Sequence, residues 1–85
     1  MYYVYLLQSL KNKRYYIGFT TNVRSRLNKH NSGGVKSTKG GRPWKLFLFE
    51  SYPSKIEALK REREIKSYKG GIKFKKLIGV WPSPV

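Results

Sequence analysis

Two aromatic segments at the start of the chain constrain its fold most strongly. Residues 3–7 and 15–19 are rich in aromatic and β-branched side chains, and a polar stretch that contains Asn12 separates them. Such side chains favour a half-buried strand, and a polar gap between two such runs is typical of a β-hairpin. The hairpin brings Tyr5 and Tyr16 close together on adjacent strands, so that both phenols can face one site.

Charge narrows the class of partner. The 85 residues carry a net charge of +15, with 19 Lys and Arg residues against four acids, all of them Glu. A field this positive attracts polyanions, and it far exceeds the magnitude of about 2–8 that solubility requires of a small domain. We therefore expect nucleic acid as the partner. An anionic membrane surface is the second class, and a basic solubilising surface is the remaining alternative.

Composition also excludes several kinds of site. The chain has no cysteine and a single histidine, so disulfides, thiolate metal sites and His-rich metal sites are excluded. It contains no run of the roughly 18 apolar residues that a membrane span requires, and Met1 leads directly into the first strand rather than into a signal region. We expect a single domain in the cytoplasm, acting as a monomer.

A helix is predicted over residues 23–32. Residues 20–22 offer hydroxyl and amide oxygens for an N-cap, and the Gly pair at 33–34 is a typical stop. At helical spacing Arg26 and His30 fall on the same inward stripe as the apolar residues of this helix. They are one turn apart, so both side chains can reach one site.

The middle of the chain predicts a loop followed by a strand. Residues 33–43 contain four glycines, several basic residues and two hydroxyls, which indicates a loop rather than a regular element. This loop is either an arm that grips phosphates or an ordinary exposed connection. Residues 44–50 contain four consecutive apolar residues, and such an unbroken run predicts a strand covered on both faces, hence central in the sheet.

Two more helices and a tail complete the predicted architecture. Ser54 and Glu57 form a capping-box pattern at the start of a helix over residues 54–68, which the Gly pair that follows ends. Residues 72–78 are typical of a short basic helix, and residues 81–85 of an irregular tail. The prediction is an α+β fold in the order β-β-α-β-α-α, with a three-stranded antiparallel sheet packed between helices.

Ionisable side chains on apolar faces need an explanation, because charges seldom face a core unless they are paired or liganded. Glu62 lies inside the apolar arc of the second helix, where it is either half of a salt bridge or a ligand of one Mg²⁺ ion. Arg26 is either in a salt bridge or a clamp on phosphate. His30 is either a satisfied buried histidine or a group that moves a proton. Tyr5 and Tyr16 are either core aromatics or site residues.

Together these residues resemble the GIY-YIG nuclease superfamily. Tyr3-Val4-Tyr5 and Tyr16-Ile17-Gly18, with ten residues between them, are similar to the two motifs that name it. Arg26 and His30 follow at the spacing of the family's first helix, and the segment 58–62 resembles the one that ends in the family's metal-binding glutamate. The resemblance covers residues 2–66. The brevity of the chain is similar to that of small bacterial members related to the nuclease domain of the excinuclease C subunit, which implies DNA repair.

The resemblance implies a metal-dependent DNA endonuclease with a single domain over residues 1–80. Glu62 would bind one Mg²⁺ or Mn²⁺ ion, and Arg26 would stabilise the pentacovalent phosphate. Tyr5 would act as a base or water-orienting phenolate whose pKa the metal and nearby cations lower, while Tyr16 and His30 position water or phosphate. Gly18 would allow a close backbone approach. The implied products carry a 5′-phosphate and a 3′-hydroxyl.

Two departures from the family pattern shape the alternatives. Some members use a late asparagine, whereas this chain has none after Asn31, and no second domain supplies recognition of a sequence. Selectivity would then come from the loop at 33–43, the basic region at 60–76 or a partner protein. One alternative is a nucleic-acid binding module that keeps the fold without the chemistry. A weaker one is binding to an acidic protein or membrane surface.

Overall fold

The computed structural model describes residues 1–69 and 71–79, and it contains the predicted order of strands and helices. The predicted tail at 81–85 lies outside these ranges. One further element, a short 3₁₀-helix, lies between the first α-helix and the third strand. The elements are β1 (Tyr2–Ser9), β2 (Tyr15–Thr20), α1 (Val23–Asn31), the 3₁₀-helix (Lys36–Gly41), β3 (Trp44–Tyr52), α2 (Lys55–Ser67) and α3 (Ile72–Leu77).

The sheet has the order β2-β1-β3, and β1 pairs antiparallel with both neighbours. The predicted hairpin is therefore confirmed, but the prediction that the third strand is central is wrong. A register shift between Leu6 and Leu7 explains the misleading pattern, because it pairs them with Leu48 and Leu46 and leaves Phe47 as an extra residue. At such a bulge the alternation of faces is interrupted. An edge strand between helices thus acquires an unbroken apolar run.

Alternate residues of β1 build two cores on opposite faces of the sheet. Val4 and Leu6 face α2 and α3, where Ala58, Ile65 and Phe74 complete the larger core. Tyr5 and Leu7 face the other way, and they pack with Trp44, Tyr16, Leu27 and Leu46. The sheet is therefore packed between helices, as predicted, and α1 lies on the face that carries Tyr5 and Tyr16. No helix in the two described ranges combines the length and apolarity that crossing a bilayer demands.

Local signals fixed the ends of α1. The Asn22 side chain accepts a hydrogen bond from Ser25 N at 3.0 Å, which is the N-cap that the sequence predicted. At the other end Gly33 has a φ of +85°, and the N–H groups of Gly33 and Gly34 donate to the carbonyls of His30 and Lys29. This Schellman arrangement needs a residue that tolerates the left-handed conformation. The Gly pair therefore ends the helix directly after the turn that carries His30.

The start of α2 agrees with the prediction in position but not in its capping contact. Ser54 is the N-cap residue, yet its side chain makes no capping hydrogen bond, so the predicted capping box does not form. Glu57 is exposed in the first turn, where its charge still complements the positive end of the helix dipole. Packing of Ala58 and Ile65 against the sheet accounts for this helix better than capping does.

The segment at 33–43 is more ordered than its composition indicated. Residues Lys36–Gly41 form a 3₁₀-helix, so the prediction of a loop without a regular element is wrong. Ser9 Oγ donates to Gly41 O at 2.6 Å, and Trp44 Nε1 donates to Thr38 O at 2.8 Å. Ser9 lies on β1, 32 residues before Gly41, and Trp44 lies on β3, just after the segment. Local propensity therefore could not predict an element that neighbouring strands hold in place.

Candidate active site

Tyr5 belongs to the central strand β1, and its ring lies against the neighbouring edge strand β2. Its cross-strand neighbour is Gly18, and a Cβ built on Gly18 would lie 2.3 Å from the Tyr5 hydroxyl oxygen. No side chain fits in that space, so only glycine allows the Tyr5 ring to occupy this position. The close approach expected at Gly18 is therefore one between the backbone of β2 and the Tyr5 phenol.

Three aromatic rings meet at this point. The Tyr5 hydroxyl lies 3.0 Å from His30 Nε2, and the ring centroids of Tyr16 and His30 are 4.9 Å apart in an edge-to-face arrangement. The Tyr5 and Tyr16 centroids are 6.4 Å apart. His30 is completely buried. The hairpin thus supplies both phenols, and the last turn of α1 brings the imidazole to them.

Thr38 completes the buried polar group, although no sequence pattern indicated it. Its Oγ1 lies 2.7 Å from His30 Nδ1, and only 1% of the residue is exposed. A single threonine within a segment of lysines and glycines carries no periodic or motif signal. Its role follows only from the 3₁₀-helix, which carries it to the side of His30 that Tyr5 does not occupy.

Burial shifts the protonation of both partners towards their neutral forms. It raises the pKa of Tyr5 well above the ordinary value of 10.0, Tyr16 and Glu62 raise it further, and Arg26 opposes them. Burial also lowers the pKa of His30 below 6.5, and the positive charges of Arg26 and Lys29 lower it further. The cation effect expected on Tyr5 is therefore present, but burial outweighs it. At neutral pH the cluster contains a phenol and a neutral imidazole.

Arg26 lies near the cluster, and no carboxylate among the described residues forms an ion pair with its guanidinium. It is partly buried, one turn before His30 on α1, and its charge acts on the pKa values of both Tyr5 and His30. None of the ion pairs among the described residues involves it. The salt-bridge interpretation of Arg26 is thus not supported by any recorded pair. A guanidinium without such a partner is available to bind an external anion.

Glu62 comes from the opposite layer of the fold. Its side chain is 18% exposed and pairs with Lys66 Nζ at 3.1 Å, so the salt-bridge interpretation holds in part. Its negative charge nevertheless raises the pKa of Tyr5, which places it within electrostatic reach of the cluster. The helix that carries it packs against β2 as well as β1. The Tyr5 ring leans towards that same edge of the sheet.

The donor set around Glu62 fits one kind of metal site. No group of three or more His, Asp, Glu or Cys side chains gathers anywhere in the parts of the chain that the structure describes. Zn²⁺ sites need three or four protein ligands, whereas Mg²⁺ is commonly held by one or two carboxylates with water and phosphate oxygens. Glu62 therefore suits a Mg²⁺ or Mn²⁺ ion that is shared with a bound phosphate.

An open cleft beside Tyr16 gives the cluster access to solvent. Its volume is about 340 Å³, and it lies between the hairpin turn and the 3₁₀-helix. Tyr16 and Thr38 belong both to the cleft wall and to the buried cluster. The other residues that line the cleft are Asn12, Arg14, Tyr15, Ser37, Gly40, Gly41 and Trp44. A ligand in this cleft would therefore contact Tyr16 directly.

Comparison with known proteins gives a consistent result. A sequence model described as the GIY-YIG catalytic domain matches residues 1–75. The UPF0213 protein of Staphylococcus haemolyticus is 44% identical over 75 residues, which cover 87% of this chain and 90% of the relative. The UPF0213 protein of Haloquadratum walsbyi is 43% identical over 68 residues, 79% of this chain and 75% of the relative.

A solved structure shows the same fold. The solution NMR structure of the UPF0213 protein from Bacillus halodurans matches with a TM-score of 0.59 and 38% sequence identity. The match covers 99% of this chain and 89% of that one. The similarity therefore extends over nearly the whole chain, including every element that contributes a residue to the cluster.

Proposed function

The chain belongs to the GIY-YIG family, a family of nuclease domains, and on that basis we propose that it is a metal-dependent DNA endonuclease. The proposed reaction hydrolyses a phosphodiester bond and leaves a 5′-phosphate and a 3′-hydroxyl. One observation carries this proposal. Arg26 forms no ion pair among the described residues, and its charge acts on the buried pair of Tyr5 and His30. A cleavage assay distinguishes this function from that of a non-catalytic binding module, and it also identifies the kind of DNA that is cut.

Arg26 is proposed to bind the scissile phosphate. A guanidinium presents donors in a planar fork that matches two phosphate oxygens. Charge develops on those oxygens when water attacks phosphorus, and a fixed cation stabilises the transition state more than the ground state. The absence of a carboxylate partner among the described residues means that this cation is not already neutralised.

Tyr5 and its neighbours are proposed to handle the attacking water. A buried phenol with a raised pKa is neutral at neutral pH, so it orients water through its oxygen rather than as a preformed phenolate. Its hydroxyl is linked to His30 Nε2 at 3.0 Å, and His30, which is neutral at neutral pH because burial lowers its pKa, has a ring nitrogen that can receive a proton. Tyr16 packs against His30 and borders the open cleft, where it can contact the phosphate or the water.

Glu62 is proposed to hold a single Mg²⁺ or Mn²⁺ ion. When bound, such an ion polarises phosphate oxygens and lowers the pKa of its bound water. The role of Glu62 is to present one carboxylate oxygen at the edge of the cluster. Its pairing with Lys66, which is largely exposed, is weak enough to exchange for a divalent cation, since exposed ion pairs contribute about 0–1 kcal/mol.

The surface charge is proposed to bring DNA to the site. Exposed basic residues lie on α1, on the 3₁₀-helix and directly after it, namely Arg24, Lys29, Lys36, Lys39 and Arg42. The overall charge of +15 should give binding that weakens steeply with salt, because phosphate contacts release counterions. Contacts between these charges and phosphates do not distinguish bases. The charge therefore supports nucleic acid as the class of partner, and selection among substrates would depend on the cleft.

The test is a cleavage assay with labelled single-stranded, duplex and branched DNA in Mg²⁺, Mn²⁺ or EDTA. Glu62→Gln removes the proposed ligand, and Glu57→Gln removes the same charge from an exposed position of the same helix. We expect metal-dependent cutting by the native protein and by Glu57→Gln, but not by Glu62→Gln. DNA that is bound yet never cut with either metal would instead support a binding module that keeps the fold.

A further inference from the structure

A chain of hydrogen bonds runs from the candidate catalytic phenol into the 3₁₀-helix. Tyr5 Oη lies 3.0 Å from His30 Nε2, and His30 Nδ1 lies 2.7 Å from Thr38 Oγ1. Thr38 Oγ1 is in turn 3.3 Å from the carbonyl oxygen of Val35. The three side chains are almost completely excluded from solvent, at 2%, 0% and 1% exposure for Tyr5, His30 and Thr38.

Counting donors and acceptors selects one tautomer of His30. The Thr38 hydroxyl donates to the Val35 carbonyl, which also accepts the Thr38 N–H, and Thr38 Oγ1 can then accept from His30 Nδ1–H. His30 Nε2 is then an acceptor, and it receives the Tyr5 hydroxyl proton. In the opposite arrangement Nε2–H would donate to Tyr5, whose own proton would have no acceptor among the described residues. Buried donors are rarely left unpaired.

We propose that Thr38 is a positioning residue that holds His30 in its Nδ1–H tautomer and thereby fixes the direction of the Tyr5 hydroxyl. Because the Tyr5 hydroxyl donates its only proton to His30, its oxygen can only accept hydrogen bonds from a ligand. It therefore accepts a hydrogen bond from the attacking water and does not donate to the phosphate. The role in catalysis rests on the nuclease function proposed above, whereas the tautomer does not.

The same arrangement gives a balanced proton path. When water attacks phosphorus, its proton passes to the Tyr5 oxygen as the Tyr5 proton passes to His30 Nε2. The imidazolium that results keeps its Nδ1–H bond to Thr38. Neither Thr38 nor Val35 gains or loses a proton, so their part is to keep Nε2 free as the acceptor. A second-neighbour hydrogen bond commonly sets the tautomer of a catalytic imidazole in this way.

The 3₁₀-helix holds Thr38 firmly enough for this task. The Thr38 carbonyl accepts from the Trp44 indole at 2.8 Å, and its N–H donates to the Val35 carbonyl at 3.1 Å. Ser9 Oγ donates to Gly41 O at the end of the same helix. The middle and the last residue of the 3₁₀-helix are thus attached to the sheet that carries Tyr5. This explains an ordered turn in a segment whose composition indicated a loop.

The single histidine of the chain makes the tautomer directly measurable. With ¹⁵N-labelled histidine, two-bond ¹H–¹⁵N spectra distinguish the protonated nitrogen from the unprotonated one. At neutral pH we expect Nδ1 protonated and Nε2 unprotonated in the native protein. A native spectrum with Nε2 protonated would overturn the proposal by itself, without any variant and without any cleavage assay.

Variants separate the hydroxyl from the shape of the side chain. Thr38→Val keeps the size but removes the acceptor, and we expect His30 to shift to Nε2–H or to a mixture of tautomers. Thr38→Ser keeps the hydroxyl and should restore the native spectrum. Thr21→Val, at an exposed threonine, is the matched control. An unchanged His30 spectrum in folded Thr38→Val would show that Thr38 does not set the tautomer.

Cleavage by the same variants tests the consequence. Loss of an outer hydrogen-bond partner of a functional histidine typically costs about 10- to 100-fold, and we expect a loss of that size in Thr38→Val with near-native rates in Thr38→Ser. A shifted tautomer with native cleavage rates would refute the positioning role. A native protein that cuts no DNA would refute the proposed function instead, and the NMR result would still decide the tautomer.

Discussion

The Tyr5 hydroxyl oxygen occupies the space beside Gly18 in which a side chain would lie. It would be only 2.3 Å from the Cβ of an alanine at that position. Glycine at this position therefore decides the direction of the candidate catalytic phenol. The relationship joins the two short motifs of the hairpin through one contact, since Tyr5 belongs to the first and Gly18 to the second. It also gives the first of four predictions.

Gly18→Ala should displace the Tyr5 ring. Overpacking of this kind costs about 1–3 kcal/mol of stability, and the hydroxyl should lose its hydrogen bond to His30. Denaturant unfolding measures the first effect, and the cleavage assay measures the second. Gly40→Ala is the control for stability alone, because a Cβ there meets no atom within 4 Å, whereas Gly40 lines the cleft beside Tyr16. Stability equal to that of Gly40→Ala, together with native cleavage rates in Gly18→Ala, would contradict the contact.

Arg26→Ala should reduce cleavage by about 100- to 1000-fold, the usual cost of removing one donor that stabilises charge in a transition state. The fold should persist, because Arg26 makes no ion pair among the described residues. Single-turnover cleavage at saturating DNA separates this loss from weaker binding. Arg24→Ala changes an exposed arginine of the same helix and should leave the rate within a few-fold of native. Full activity in Arg26→Ala would remove this residue from the site.

His30 should make stability depend on pH below neutrality. Burial lowers its pKa in the folded state below 6.5, and Arg26 and Lys29 lower it further, so the unfolded chain binds the proton first as the pH falls. The free energy of unfolding should be constant above the unfolded pKa and decrease as the pH falls from about 6.5 towards the folded value. Urea titrations at several pH values measure this slope.

The matched variant for this pH effect is His30→Asn, which cannot titrate. Because His30 is the only histidine, its removal should flatten the slope that begins below about pH 6.5, although the variant is less stable throughout. The carboxylates Glu50 and Glu64, whose pKa values lie below 4.5, contribute only at lower pH. A slope of native size in His30→Asn would refute the assignment.

Glu50→Gln should lower the free energy of unfolding by weakening the contact between β3 and α2. Glu50 accepts two hydrogen bonds from Arg61, at 2.7 and 3.1 Å, and a third from Tyr52 at 2.7 Å. The Arg61 hydrogen bonds hold the pKa of Glu50 below its ordinary value despite burial. Hydrogen bonds to a charged group contribute about 1.5–3 kcal/mol, so we expect a loss of that order in urea unfolding at neutral pH.

This pair also connects β3 to α2, the helix that carries Glu62. The Glu50→Gln variant should therefore cut DNA with a normal metal requirement while it remains folded, and lose activity at a lower temperature than the native protein. Glu57→Gln, at an exposed glutamate of the same helix, should change neither property. If Glu50→Gln were as stable as Glu57→Gln, the network would make no net contribution.

The sequence predicted what depends on neighbours along the chain. The hairpin followed from two aromatic runs and a polar gap, and α1 followed from the Asn22 cap and the glycines at its end. Arg26 and His30 share a face because helical spacing places them there. The joint spacing of Tyr5, Tyr16, Arg26, His30 and Glu62 was enough to indicate the family that the sequence comparisons then identified.

Other features depend on contacts that sequence patterns do not encode. The position of β3 at an edge was missed because a bulge after Leu46 mimics the pattern of a central strand. The 3₁₀-helix was missed because Ser9 and Trp44 stabilise it from outside. Burial of Tyr5 raises its pKa more than the charge of Arg26 lowers it, and the desolvation of a phenol depends on the whole layer above it.

Periodicity and local capping therefore predicted most elements of this protein, and motif spacing indicated five residues of its candidate site, whereas the 3₁₀-helix, the edge position of β3 and Thr38 were not predicted. Only tertiary structure decided how those residues are protonated and joined. His30 meets Tyr5 across 25 residues of sequence, and Thr38 reaches His30 from a segment without a motif. Hydrogen-bond direction and pKa are set by burial and by partners in space, and these exist only once the sheet, α1 and the 3₁₀-helix have packed together.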